Sequence, residues 1–97
     1  MEQAFERLQA WYLDQCDGEW EHTNGVQITT LDDPGWGLEI DLVGTELENK
    51  PFEKLRVRRT EIDNWYMCGV ERGKFKSYCG PMNLTEVIVE FLNWATS

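Results

Sequence analysis

The spacing of apolar residues changes twice along this chain, and that change constrains the fold more than any other feature. Near the start, apolar side chains recur three or four positions apart, which places them on one side of an α-helix. Glu2 and Glu6 suit the positive end of such a helix dipole. The pattern predicts an amphipathic helix over residues 2–15, followed by an ordered loop over residues 17–25. The predicted apolar side consists of Ala4, Phe5, Leu8, Trp11 and Tyr12.

From Val26 onward the interval becomes two, as in a strand with one buried face. Residues 26–30 and 36–42 both alternate in this way. The Asp-Asp-Pro-Gly segment at residues 32–35 separates them and is a strong turn signal. These features predict an antiparallel hairpin with Glu39 and Asp41 on its outer face.

Three further strand-like runs occupy residues 52–59, 65–70 and 74–79, and short connections of hairpin length join them. Asn83 and Glu86 then resemble an N-cap box at the start of a final helix. The apolar side of this helix consists of Leu84, Val87, Ile88, Phe91, Leu92 and Ala95.

The order helix, five strands, helix predicts the α+β fold class. We expect a single domain over residues 1–97. It would be an antiparallel five-stranded meander with the N-terminal and C-terminal helices packed on one face. The other face of the sheet would stay open to solvent or to a partner.

Acidic residues outnumber basic ones by eighteen to nine, which gives a net charge of −9. The first fifty residues hold twelve acids and two bases, whereas residues 51–97 hold six acids and seven bases. An acidic half repels nucleic acid phosphates and anionic membranes. It favours a basic protein partner, although the acids could also serve only to keep a small protein in solution.

The three cysteines, Cys16, Cys68 and Cys79, are odd in number and irregularly spaced. The N-terminal residues do not resemble a signal peptide, and no apolar run approaches the roughly 20 residues that span a bilayer. We therefore expect reduced thiols and a cytoplasmic location.

Residues 16–22, Cys-Asp-Gly-Glu-Trp-Glu-His, form the densest cluster of chemically versatile side chains. Cys16 and His22 could ligate a metal together with carboxylates, but the paired spacing of zinc sites is missing. His22 could act as a general base, yet no nucleophile motif accompanies it. We expect no catalytic residue, no metal and no cofactor.

Cys68 suggests one alternative function, a small thiol enzyme of the rhodanese-like sulfurtransferase type. Such chemistry needs a thiolate held by backbone N–H groups and a nearby cation such as Arg72. Cys68, however, falls inside a predicted strand. Rhodanese-like folds are parallel α/β, and this chain lacks the intervening helices.

Two tryptophans lie beside acidic residues, the arrangement of an anchor and its charged border at a protein interface. Trp20 is in the acidic loop, and Trp36 follows the turn at residues 32–35. Either ring could instead be a core residue that pins its loop to the sheet. We favour the core for Trp20 and leave both possibilities open for Trp36.

Several segments between Trp11 and Trp94 together resemble one known family. The most specific are residues 16–22 and the Leu-Asp-Asp-Pro-Gly-Trp stretch at residues 31–36. On these segments the chain resembles the immunity protein 53 family. Further segments that fit are Trp11-Tyr12, Gly80-Pro81 and Phe91-Leu92-Asn93-Trp94.

The resemblance implies a bacterial polymorphic-toxin immunity protein, which binds the toxic domain of a secreted toxin in the cytosol and has no activity of its own. No residue roles accompany the resemblance, so chemistry guides the choice of site. We expect the acidic hairpin and loop to cover a basic cleft, for instance that of a nuclease, with no nucleic acid or membrane partner. The predicted partner-binding residues are Glu19, Glu21, His22, Asp32, Asp33, Trp36, Glu39 and Asp41.

Overall fold

Five antiparallel strands form one sheet, and helices cover one of its faces. The computed structural model describes residues 3–97. The predicted α+β class is confirmed, with five strands and a helix at each end of the chain. In chain order the elements are α1 Ala4–Gln15, α2 Trp20–Thr23, β1 Val26–Leu31, β2 Gly35–Asp41, β3 Leu55–Arg58, β4 Trp65–Glu71, β5 Lys74–Cys79 and α3 Leu84–Ala95.

The first helix, α1, has a narrower buried side than the sequence predicts. Phe5 and Tyr12 are each more than a third exposed, at 38% and 37%. Glu2, predicted in its first turn, lies outside the described residues. The buried residues of α1 are Ala4, Leu8 and Trp11.

The segment predicted as an ordered loop contains one helical turn, α2. The Asp17 carboxylate accepts hydrogen bonds from the backbone N–H groups of Glu19 and Trp20, both at 2.9 Å. In return, the Glu21 carboxylate accepts from the N–H groups of Asp17 and Gly18. Asp17 thus satisfies the Trp20 N–H, which the helix start leaves unpaired, while Glu21 satisfies two N–H groups of the segment before the helix. Together the two carboxylates stabilise this segment.

The sheet is not the sequential meander that the sequence suggests. The hairpin of β1 and β2 is present, but the strand order is β1-β2-β5-β4-β3, with β5 in the centre. Residues 42–54 carry the chain from β2 to the far edge, where β3 begins three residues later than predicted.

Leu47 is buried within the connection formed by residues 42–54. The Lys50 ammonium donates to the Trp94 carbonyl at the end of α3. The connection is thus packed against the molecule rather than forming a short hairpin turn.

A single aromatic cluster joins the helices to the covered face of the sheet. Phe91 of α3 lies between Phe75 of β5 and Trp11 of α1, with ring centroids 5.1 and 5.0 Å away. The helix α3 therefore lies on the sheet, and α1 packs against α3. Within residues 3–97, no helix combines the length and the hydropathy needed to cross a membrane.

Asn83 does not cap α3 with its side chain, contrary to the predicted N-cap box. Its amide oxygen accepts the Trp65 N–H, and its amide nitrogen donates to the Glu86 carboxylate at 2.8 Å. Asn83 is only 3% exposed. Because a buried amide must be hydrogen-bonded, this side chain fixes the start of α3 against the start of β4.

Candidate functional site

The structure separates the predicted partner-binding residues into two groups at opposite ends of the hairpin. Pairing of β1 and β2 puts the turn beside Gly35, whereas Asp41 is six residues farther along β2. At about 3.3 Å per residue, the two ends are about 20 Å apart. The turn end carries Asp32, Asp33 and Trp36. The opposite end, which we call the α2 end, carries Glu19, Glu21, His22, Glu39 and Asp41.

Acids of the α2 end differ in how free they are to meet a partner. Backbone N–H donors, that of Glu21 itself first, lower the pKa of Glu21. The N–H groups of Trp20 and then Glu19 likewise lower the pKa of Asp17. These carboxylates are occupied by hydrogen bonds that stabilise the α2 turn. Glu19 is exposed, and no hydrogen bond or ion pair of its side chain is found within residues 3–97.

A groove of about 400 Å³ runs between α2 and the hairpin. It brings together His22, Glu39 and Asp41, three of the predicted residues, with Lys74 of β5. The Asp41 carboxylate accepts the Gly25 N–H at 2.8 Å and forms an ion pair with the Lys74 ammonium. Its side chain is only 19% exposed. The Asp41 carboxylate is therefore already bound within the protein. Glu39, two residues earlier on the same face, forms no hydrogen bond or ion pair with its side chain within residues 3–97.

At the turn end, Asp32 and Asp33 are exposed whereas Trp36 is partly buried. The Trp36 indole N–H donates to the Pro81 carbonyl at 3.0 Å, and its ring packs against the core. Trp36 therefore attaches β2 to the loop before α3. The adjacent Met82 is 86% exposed, and no pattern in the sequence distinguishes it.

Trp20 is a core residue, which confirms the interpretation favoured for it from the sequence. It is 6% exposed, and its indole N–H donates to the Val43 carbonyl at 2.8 Å. Its ring meets that of Trp11 edge-on, with centroids 6.2 Å apart. The α2 turn is thus fixed to α1 and to the segment after β2.

The cysteines and the acids bear on two chemical roles considered for this chain, metal binding and sulfur transfer. No group of three or more Cys, His, Asp or Glu side chains within residues 3–97 could hold a metal ion. Cys68 is buried on β4, and burial raises its pKa to about 11. Sulfur transfer requires the thiolate, which such a pKa disfavours at neutral pH.

The sequence predicts an open face of the sheet, but it does not predict which charged side chains adjoin on that face. Because β5 lies between β2 and β4, its lysines stand beside acids of β2: Lys76 faces Glu39, and Lys74 faces Asp41. Beyond β5 the face becomes basic toward the β3 edge. Alternation along each strand could have assigned these side chains to the open face, but not which strands adjoin. The basic residues on this face are Lys54, Arg56, Arg58, Lys74 and Lys76.

The fold and these surfaces define a small α+β domain whose charged side chains lie on open faces and in shallow grooves. The family model described as immunity protein 53 matches residues 5–96. The chain therefore belongs to the immunity protein 53 family, as its sequence motifs suggested. No curated protein and no solved structure matches it significantly.

Proposed function

We propose that this protein binds the toxic domain of a bacterial toxin and blocks it, without catalysis of its own. The observation that carries this proposal is the immunity protein 53 match over residues 5–96. An immunity protein protects the producing cell, so we place the encounter in the cytosol. The toxin would be the product of a neighbouring gene, with the toxic domain at its C-terminus.

The contact we propose is made by acids of the first fifty residues, which carry a net charge of −10. Of the predicted acids, Glu19, Asp32 and Asp33 are exposed, and Glu39 is partly so. No ion pair is found for any of these four within the described residues 3–97. A carboxylate that is not held in an ion pair loses little internal interaction when it meets a cation on another protein, although Glu39 also faces Lys76 across the sheet and attracts the Lys74 ammonium. These four acids therefore support a contact with a basic toxin surface, such as the cleft of a nuclease.

The test is binding of the purified toxin domain to this protein at low and high salt. We expect wild-type protein to bind, to inhibit the toxin, and to associate more slowly as salt rises, because salt screens exposed charges. Reversing two acids at the α2 end, Glu19→Lys with Glu39→Lys, should lower the association rate by about tenfold. The corresponding double reversal at the turn end is Asp32→Lys with Asp33→Lys.

Glu61→Lys is the matched control, because Glu61 is an equally acidic side chain in the loop between β3 and β4, 84% exposed. We expect it to bind as wild-type does. Circular dichroism of every variant checks that the fold is intact. The double variant that slows association identifies the end that meets the toxin. If both folded double variants associate at the wild-type rate, the acidic contact is wrong, and failure of wild-type protein to bind or inhibit would contradict the function itself.

A further inference from the structure

The open face of the sheet contains a groove of about 370 Å³ with Gly69 of β4 at its floor. Register places Gly69 opposite Lys76 of β5. On the other side the Lys54 side chain lies across it, since a Cβ built on Gly69 would be 3.7 Å from the Lys54 Cε. The lack of a side chain at residue 69 thus leaves a depression between two ammonium groups.

The next row of the sheet closes this groove with one more cation and two larger side chains. Arg56 pairs with Met67, and Met67 pairs with Tyr78 across the strands. Tyr78 is 41% exposed, so its ring presents apolar surface to solvent. We call this the Gly69 groove; its principal lining residues are Lys54, Arg56, Met67, Gly69, Lys76 and Tyr78.

The basic side chains of the Gly69 groove outnumber the acidic ones that could neutralise them. Lys76 meets Glu71 at 4.0 Å, the limit of an ion pair. Lys54 and Arg56 have no acidic partner within residues 3–97. Three cations against one acid make a local positive surface on a chain whose net charge is −9. Such a surface complements a carboxylate, which arginine can bind through two parallel hydrogen bonds.

We propose that the Gly69 groove binds an acidic, extended segment of the toxin domain. One or two carboxylates would lie between Lys54, Arg56 and Lys76, and an apolar side chain of the segment would pack on Tyr78. This inference rests on the proposed function and adds a second contact of opposite sign to the acidic one. A protein segment fits better than a nucleic acid, whose continuous phosphates would also meet Glu71 and the acidic β2.

Two different changes to the groove test this proposal with the purified toxin domain. Lys54→Glu with Arg56→Glu reverses its charge, and Gly69→Val fills its floor without changing charge. We expect each variant to weaken affinity for the toxin domain by about tenfold or more. Arg7→Glu, at an exposed site on α1 away from the sheet, is the matched control and should bind as wild-type does.

Amide chemical-shift mapping of the wild-type complex supplies a measurement that needs no variant. We expect shifts at Gly69, Lys76 and Tyr78 when the toxin domain is added. The proposal is overturned if wild-type protein binds the toxin while both folded groove variants keep wild-type affinity and these amides do not move. It is also overturned if a single-stranded oligonucleotide shifts the same amides and the toxin domain does not. If the wild-type protein fails to bind the toxin domain at all, the proposed function is rejected instead.

Discussion

The two faces of the sheet are built from the same strands but differ in burial and in charge. On the covered face, alternate residues such as Ile40 and Phe75 are fully buried. On the open face, the intervening residues of the same strands are Glu39 and Lys76, which face each other across β2 and β5. The covered face gains stability by removing apolar surface from water. The open face contributes little to that term, because its charged side chains stay in contact with water.

Two parts of the open face sharpen this contrast. Near β2, Asp41 forms an ion pair with Lys74 of the neighbouring strand β5. Toward β3, Lys54 and Arg56 have no such pairing within residues 3–97. Charges that are paired across strands hold the sheet together, whereas unpaired charges remain available to a partner.

The largest expected effect is a loss of folding stability when an aromatic side chain is removed between the helices and the covered face. Phe91 is fully buried and touches three other aromatic rings. Phe91→Ala should lower the free energy of unfolding by about 3–5 kcal/mol, and Trp11→Ala should fall in the same range. Denaturant titration followed by circular dichroism measures both. Met82→Ala, at an 86% exposed site, is the control and should change stability by less than about 0.5 kcal/mol.

A loss below about 1 kcal/mol at both Phe91 and Trp11 would mean that the helices do not cover the sheet as described. Burial of apolar side chains on the covered face would then not be the main source of stability, and the two faces would not differ in this respect.

A smaller effect should separate two acids on the same strand and face. Asp41→Ala removes an acceptor for the Gly25 N–H and for Lys74, so we expect a loss of about 1.5–3 kcal/mol in the free energy of unfolding. Glu39→Ala, two residues earlier, should cost less than about 0.5 kcal/mol. The same denaturant titration compares them. Equal losses would show that the open face does not distinguish paired from unpaired charges.

The sequence identified the faces of the strands and three of the four neighbouring pairs, β1 with β2, β3 with β4 and β4 with β5, but not that β5 lies beside β2. Alternation depends only on which side of one strand each residue occupies, so Glu39 and Asp41 were correctly placed on the face away from the helices. Strand order depends on where residues 42–54 lead, and no local pattern specifies that path. In a meander, β2 would have adjoined β3 and its arginines. In the structure it adjoins β5, which supplies Lys74 and Lys76 instead.

The local sequence also could not predict which side chains of the proposed site are held by hydrogen bonds within the protein and which stay exposed. Glu19 and Glu21 are two residues apart in one short segment, yet Glu21 binds backbone N–H groups whereas Glu19 stays exposed. The difference arises in the α2 turn, where Asp17 accepts the Trp20 N–H and the Trp20 ring is fixed by the Val43 carbonyl. Trp36 is likewise fixed by the Pro81 carbonyl, 45 residues away in the chain.

The smallest effect expected concerns an ion pair that joins the two layers beside the β3 edge. The Arg59 guanidinium donates to both oxygens of the Glu86 carboxylate on α3, at 2.7 and 3.1 Å. Hydrogen bonding to Arg59 is the main cause that lowers the pKa of Glu86 from its ordinary value of 4.5. A carboxyl with a lower pKa in the folded state adds stability above its unfolded pKa, and that stability is lost as pH falls through the folded value.

Both side chains are well exposed, at 46% and 39%, so the pair should contribute only about 0.2–1 kcal/mol at neutral pH. Glu86→Gln should lose that amount at pH 7, and its stability should fall less steeply than that of wild-type between about pH 5 and pH 3. Denaturant titrations at a series of pH values measure both effects. Glu61→Gln breaks the more exposed pair with Arg58 and serves as the control, with no change expected beyond error. A wild-type pH slope in Glu86→Gln would show that this pair does not link α3 to the sheet energetically.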